Sequence, residues 1–433
     1  MNVSRLEKAY MVLLAVIFGG IVLHAPISVG LGTLFPDYDL LIKSWKEVLM
    51  LASVPLAIAI ITRRNLWQEL WRDWIFRLII AYVILHFLTM AVLYQGVAAT
   101  AAGLAIDLRY ILFFGLVYIL VRTLPVYRRL LLKIGLIGAV IVVGFATLQL
   151  FLPPDILKHL GYSKETIVPY LTVDENPDYV RVNSTLRGPN PLGAYAAVVL
   201  TLLIAALVRK RLQFADKKIA IGIGLLTLCS LIALWVSYSR SALLAVVASV
   251  AVVLAMTIAR RLSRKAWVIT AAVTFAIIGG LIANQNSSFV SNVLLHENPN
   301  EGNSFNSNDG HLESLIHGTE LLIAQPLGAG IGSTGSASLY TDTPRIIENQ
   351  YLFVAHETGW LGLLVFVAIF IAVLLRLWRE RHDWISLGVF ASGIGLALIG
   401  VLQPVWVDDT VSIIWWGLAG LAIASSKKED RKG

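Results

Sequence analysis

The sequence predicts an all-α polytopic membrane protein of about twelve spanning helices, with two long outer loops, the second holding an amphipathic helix. Two observations carry this. The chain is 57% hydrophobic and only 14% charged, against about 25% charged residues in a soluble domain. Its apolar residues also gather into runs of about 20, the length that crosses a bilayer as a helix. Helices satisfy their own backbone in lipid, which an open sheet does not.

The runs lie at 10–30, 40–62, 74–94, 103–122, 131–152, 191–208, 218–236, 241–259, 266–283, 350–375, 384–403 and 410–425. The first follows a charged stretch, Met1–Lys8, but no small-residue cleavage site follows it, so it reads as a span rather than a removable signal. The second is the least regular, with Lys43, Lys46 and Glu47 near its outer end. The single cysteine, Cys229, sits inside an apolar run and offers neither a disulfide nor a thiolate metal site.

Net charge is +8, and its placement matters more than its size. With the N-terminus inside, the N-terminal segment, the even-numbered connections and the C-terminal tail carry 26 of the 35 basic residues. This is the asymmetry expected of cytoplasmic loops, so both termini read as cytoplasmic and nucleic acid is not needed to explain the charge. Nine basic residues remain: Lys43, Lys46, Arg109, Lys158, Lys164, Arg181, Arg187, Arg240 and Arg345.

The two long outer loops run over 153–190 and 284–349. The second opens on an Asn/Ser-rich stretch and then places Leu312, Leu315, Ile316, Leu322 and Ile323 at helical spacing. Either Asn308 or Asp309 can cap that helix, and Pro326 closes it. Its apolar face is expected on the membrane or on the outer ends of the bundle.

Chemistry is expected where ionisable groups meet the outer membrane edge, since they are costly there. Arg187 lies in Arg187-Gly188-Pro189-Asn190-Pro191-Leu192-Gly193, at a span entrance whose prolines and glycines force irregular backbone. Arg240 lies in Trp235-Val236-Ser237-Tyr238-Ser239-Arg240-Ser241, the whole connection between two spans. Arg109 lies in the outer part of the fourth span, where it either pairs with Asp107 or lines a path. Lys46 stands near the same boundary. Arginine forks suit a diphosphate through paired, charge-assisted hydrogen bonds. The second loop holds Glu297, Glu301, Asp309, Glu313, Glu320, Asp342 and Glu348 against Arg345 alone, so a diffuse positive field is absent and particular arginines must meet any anion.

Several segments together resemble the O-antigen ligase and polymerase superfamily of bacterial envelope glycosyltransferases. They are Arg181–Gly193, Val236–Ala245, the run Gln325-Pro326-Leu327-Gly328-Ala329-Gly330-Ile331-Gly332, and Glu348-Asn349-Gln350-Tyr351-Leu352 followed by Glu357-Thr358-Gly359-Trp360-Leu361-Gly362-Leu363. The ligase-like region covers about 181–375. The resemblance implies transfer of a glycan from a polyprenyl-diphosphate donor to a hydroxyl of a glycan, glycolipid or protein acceptor, at the outer face of a bacterial cytoplasmic membrane. It assigns Arg187 and Arg240 to the diphosphate. Arg109, Lys46 and Asn190 at the outer boundary, Asn349 in the matching motif and His311 in the loop helix stand as further candidate substrate contacts. The ligases open their tenth-span motif on a His-Asn pair. Here Asn349 matches the Asn and Glu348 stands at the His, a departure toward polymerase-like members. Glu348 is therefore the candidate base, with a helix-start carboxylate or an ion pair to Arg345 as the structural alternative. His356, deeper in the span, is second. His311 and His317 in the loop helix are candidate acceptor contacts, with incidental exposed histidines as the alternative for both.

No metal or other cofactor is expected, because no carboxylate cluster stands beside the arginines. The Gly328–Gly332 run lacks the preceding strand that a nucleotide-binding loop needs and reads as a flexible connection. Trp415 and Trp416 read as interface anchors. The alternatives are a polysaccharide polymerase of the same superfamily and a transporter or flippase of envelope glycolipids; no two-fold hydropathy repeat favours the latter.

Overall fold

The computed structural model describes residues 3–173, 176–209, 217–257 and 307–426. Among them, ten helices are long and apolar enough to cross a membrane, and Asp409–Ser426 is a shorter apolar helix. Together they correspond to eleven of the expected runs. The run at 266–283 and the loop stretch 284–306 lie outside the described residues.

The first span is α1 (Arg5–Gly20) continued by α2 (His24–Leu34). Ser4 and Glu7 form a capping box at its start, which satisfies orphan backbone donors there. The second expected run divides at Ser44 into a short α3 (Asp39–Lys43) and the spanning α4 (Trp45–Arg63). Lys46 thereby enters in the first turn of a span. Next come α5 (Trp67–Arg72), α6 (Trp74–Val92), α7 (Val97–Thr123) and α8 (Arg128–Leu148). The first outer loop contains a two-stranded antiparallel hairpin, β1 (Leu171–Val173) and β2 (Asn176–Arg181). Then follow α9 (Pro189–Val208), α10 (Lys217–Val236) and α11 (Arg240–Thr257). Beyond the loop helix α12 (Ser307–Ala324) stand α13 (Gln350–Arg379), α14 (Trp384–Leu402) and α15 (Asp409–Ser426).

The core forms where α15 runs against α7, with α9, α11 and α14 packed beside them. Gly420 lets α15 approach closely, since a Cβ there would stand 2.6 Å from the Phe114 carbonyl. Small residues at helix contacts serve this purpose in lipid, where packing rather than hydrophobic burial drives association. Trp415 and Trp416 lie in this core at 0% exposure, among Tyr110, Phe370 and Trp406. This corrects the expectation of interface anchors. The last helix is central rather than peripheral, so its tryptophans fill space between helices, and Trp415 Nε1 donates to Val389 O at 3.1 Å.

The glycine run is likewise corrected, because it is docked. The α13 helix breaks at Gly359, which has φ 69°. The exposed ends of that break meet the run. Ala329 N donates to His356 O at 2.6 Å, Gly330 N to Glu357 O at 3.1 Å, and Trp360 N to Pro326 O at 3.0 Å. Gln95 Nε2 donates to Ala329 O at 2.6 Å from the far side. Gly332 has φ +85°, and a Cβ there would collide with the Ala99 carbonyl. Glycine is required here because two backbones close on a positive-φ turn.

The loop helix α12 divides its apolar residues between two faces. Gly318 seats on Leu352 of α13, and Leu315 and Leu322 are half-buried. Leu312, Ile316 and Ile323 remain exposed.

The basic connections gather at one end of the bundle. Arg64 pairs with Glu7, Arg122 with Glu69, Arg128 with Asp383 and Arg376 with Asp73. The candidate site lies at the other end.

Candidate functional site

The site is assembled by four helices from distant parts of the chain. His24 begins α2, Lys46 and Glu47 enter with the first turn of α4, Arg109 comes from α7, and Asp409 opens α15. Asp409 Oδ2 stands 3.0 Å from His24 Nε2 and 3.3 Å from Lys46 Nζ. Its Oδ1 receives the Arg109 guanidinium, which also donates to the Val407 carbonyl. Glu47 adds a carboxylate 3.2 Å from Lys46 and 3.6 Å from Arg109. His24 Nδ1 accepts the Trp45 indole N–H at 3.0 Å. The ring proton therefore belongs on Nε2, facing Asp409.

Lys46, Arg109 and Asp409 are each 6% exposed or less, so each charge depends on its partners. Removing one member of such a group leaves a buried charge uncompensated, at a cost of about 3–5 kcal/mol. Arg109→Ala is accordingly expected to lose stability on that scale, read as a fall in melting temperature of the detergent-purified protein. An unchanged melt would mean that the network does not hold the helices together.

Arg109 and Asp107 do not pair. Two residues apart on a helix, they face different sides. Asp107 instead meets His86 Nε2 at 3.4 Å and the buried Glu357, whose Oε1 accepts the Gly332 N–H at 3.1 Å.

A cavity of about 740 Å³ opens against the Asp409 cluster, reaching from Lys46 and Arg109 to Tyr340 and Arg187. The buried Arg109 Nε–H has no acceptor among the described residues. A second cavity of about 300 Å³ runs from Arg187 and Asn190 to Gln403 and Asp408. Arg187 lines both. It is exposed between the buried Leu186 and Gly188, and it forms no ion pair or side-chain hydrogen bond among the described residues. The arrangement can hold an anion at Arg187, while Arg109 and Lys46 line the same cavity with their charges already met by Asp409 and Glu47.

The other expected residues are distributed as follows. Asn190 lines the smaller cavity, and its Oδ1 accepts from Arg181 at 2.6 Å. Arg240 begins α11 after a turn in which Tyr238 adopts φ 47°. Its neighbour Ser241 accepts from Gln403 Nε2 at 2.6 Å, which ties that turn to the smaller cavity's wall. Arg240 itself is not among the residues lining either cavity.

Asn349 caps α13, with Oδ1 accepting from Tyr351 N and Leu352 N at 2.9 Å and Nδ2 donating to Val401 O at 2.7 Å. Those bonds engage both ends of its amide. Glu348, half-buried beside it, donates its backbone N–H to Ser314 Oγ of α12 at 3.1 Å. It lines neither cavity but follows closely on Arg345, whose carbonyl accepts from Gly335 N and Ser338 Oγ at 2.8 Å. The turn that follows Gly335 lines the larger cavity through Ser336 and Tyr340. His311 lies in α12, and its side chain is outside the described ones.

Sequence reasoning missed four residues. Arg181 joins Asn190 to the Ser237 carbonyl, to which its Nε donates at 2.9 Å. His24 and Asp409 complete the buried network. Asp408 lines the smaller cavity beside Arg187 and accepts from Val411 N at 2.9 Å. Burial pushes the Asp408 carboxyl above its ordinary range, and the adjacent Asp409 adds to this; the Val411 N–H and the charges of Arg187 and Arg109 pull the other way. The signal for Asp408 and Asp409 was available, as adjacent acids at the mouth of an apolar run. Arg181 is marked as one of the nine outer basic residues and as the start of the Arg181–Gly193 segment, whereas His24 carries no such mark.

Residues 225–367 match the family model described as O-antigen ligase. That stretch is roughly a third of the chain and bears out the resemblance to the superfamily. It contains Arg240, the Gly328–Gly332 run, Glu348 and Asn349, and it leaves Lys46, Arg109, Arg187 and Asp409 outside. No curated protein matches the chain.

Proposed function

We propose, with the O-antigen ligase match as premise, that this protein is a membrane glycosyltransferase acting on a polyprenyl-diphosphate glycan at the outer face of the cytoplasmic membrane. The observation that carries the reading is Arg187, exposed between two cavities, with Arg109 and Lys46 lining the larger one. The diphosphate lies against Arg187, which offers a paired fork. An apolar lip formed by exposed Leu34, Phe35, Leu40 and Leu41 supports the prenyl chain beside the same cavity.

In the reaction, the acceptor hydroxyl oxygen bonds to the anomeric carbon while the bond from that carbon to the diphosphate oxygen breaks. The hydroxyl proton passes to a carboxylate, and the electron pair leaves with the polyprenyl diphosphate. Arg187 offsets the negative charge growing on the leaving group, the electrostatic contribution that is usually largest. Arg240 assists from the 237–241 turn. Glu348 is the proposed base, reaching the acceptor from beside the second outer loop. Asp408 is the rival, since it shares a cavity with Arg187.

Transfer by the purified protein from a polyprenyl-diphosphate glycan, with lipid and glycan acceptors compared, tests the reading. Product is expected without added metal and in the presence of chelator. A glycan acceptor alone being elongated would assign a polymerase. No transfer to either acceptor, with the same lipid crossing a vesicle membrane, would assign a transporter instead.

The orientation rests on the gathering of basic loops at one end. A reporter fused near Asn306 is expected to read non-cytoplasmic, and one near Lys217 cytoplasmic. The reverse at either position overturns the orientation and moves the site to the other leaflet.

A further inference from the structure

The basic end of the bundle holds a cavity of about 870 Å³ that the proposed reaction does not use. Arg72, Arg122, Arg376 and Arg379 line it with two acids, Glu69 and Asp73. The acids fix two of the four arginines. Glu69 accepts from Arg122 Nε at 2.7 Å and Nη2 at 3.1 Å, and Asp73 accepts from Arg376 Nη2 at 2.6 Å. Asp73 also caps α6 through Ile75 N at 3.1 Å, which ties Arg376 to a rigid helix start. Arg72 and Arg379 are exposed and form no ion pair among the described residues. Four guanidiniums against two carboxylates leave the cavity positive.

Its surroundings place it at headgroup depth. Trp67, Trp71 and Trp74 are all exposed on or beside the short helix α5, and the Arg77 guanidinium sits 5.0 Å from the Trp74 ring. Exposed tryptophans beside arginines mark the membrane–water boundary. Ile371 and Leu375 are exposed on α13 and continue an apolar wall away from the arginines. An anion held here would have its charge on arginine forks and its apolar part along that wall.

We infer that this cavity binds the phosphate headgroup of an anionic phospholipid. Arginine pairs with phosphate in two parallel hydrogen bonds, and basic pockets between membrane helices are suited to such headgroups. Free phosphate shares this chemistry but has nothing to lay on Trp74 and Leu375. The leaflet concerned rests on the proposed orientation, whereas binding in detergent does not, and neither depends on glycan transfer.

The test is native mass spectrometry of the full chain in detergent with phosphatidylglycerol or phosphatidylcholine of the same acyl chains. Phosphatidylglycerol is expected to be retained about tenfold better, because arginine forks hold a net anionic headgroup, and the Arg72→Gln/Arg379→Gln double variant is expected to lose most of that preference. That variant leaves both ion pairs intact; if its elution is not monodisperse, Arg72→Gln alone is measured. Equal retention of the two lipids, or unchanged retention by the variant, overturns the site. Displacement of the lipid by millimolar inorganic phosphate overturns the lipid in favour of the free ion.

Discussion

Replacing Arg187 with Ala is expected to lower glycan transfer about 10²–10³-fold, the loss typical when one preorganised donor to a developing negative charge is removed. The change should leave the protein folded and inserted. Arg187 is exposed and forms no ion pair or side-chain hydrogen bond among the described residues, and surface substitutions of this kind usually stay within about 0.5 kcal/mol. This separates it from Arg109, whose replacement disrupts a buried ion network and confounds any activity reading. Arg187→Lys should recover little, since a point charge lacks the paired fork. Rate and melting temperature measured on the same preparation check the claim. Full activity in the Ala variant would remove the diphosphate from both cavities that this residue borders.

Glu348→Gln is expected to lower turnover about 10²–10⁴-fold, the range that general-base catalysis supplies, with donor binding little changed. Glu348→His should restore part of the rate near neutral pH, where imidazole titrates. If Glu348 only pairs with Arg345, then Arg345→Ala should do similar damage. That variant is a clean comparison because the Arg345 carbonyl, not its side chain, accepts from Gly335 N and Ser338 Oγ.

Asp408→Asn is the opposing measurement. Burial, with the charge of Asp409 behind it, raises the Asp408 carboxyl, and a base works only with its proton off. Were Asp408 the base, activity would fall as pH drops through a value above the ordinary aspartate range. Near-normal turnover in Glu348→Gln, with that acid limb present and a large loss in Asp408→Asn, would transfer the role to Asp408.

Much of the architecture was legible because lipid imposes length and composition on every span. Basic side chains marked the connections at one end, and the structure gathers them there through pairs such as Arg122 with Glu69 and Arg376 with Asp73. Lys46, Arg109, Arg187 and Asn190 stand out in the sequence one by one, as polar groups at the opposite boundary. They do meet around two adjoining cavities. The motif makes Asn349 a candidate substrate contact, but periodicity does not distinguish an exposed amide from one used as a helix cap.

What the sequence determined by itself is the class, the approximate spans, the segregation of charge and the resemblance over about 181–375, of which 225–367 matches the family model. Hydropathy could do this because the cost of a polar group in lipid is local to each residue. Partners were decided only in the tertiary structure. Lipid and a neighbouring helix are both apolar, so no pattern along the last helix distinguished a buried Trp415 or Trp416 from a tryptophan facing the bilayer. Asp409 meets His24, Lys46 and Arg109 across hundreds of residues. The glycine run acquired its meaning only when the α13 break at Gly359 presented backbone groups for it to bond. Such contacts follow from how helices pack, and the spacing of residues along one helix carries no record of them.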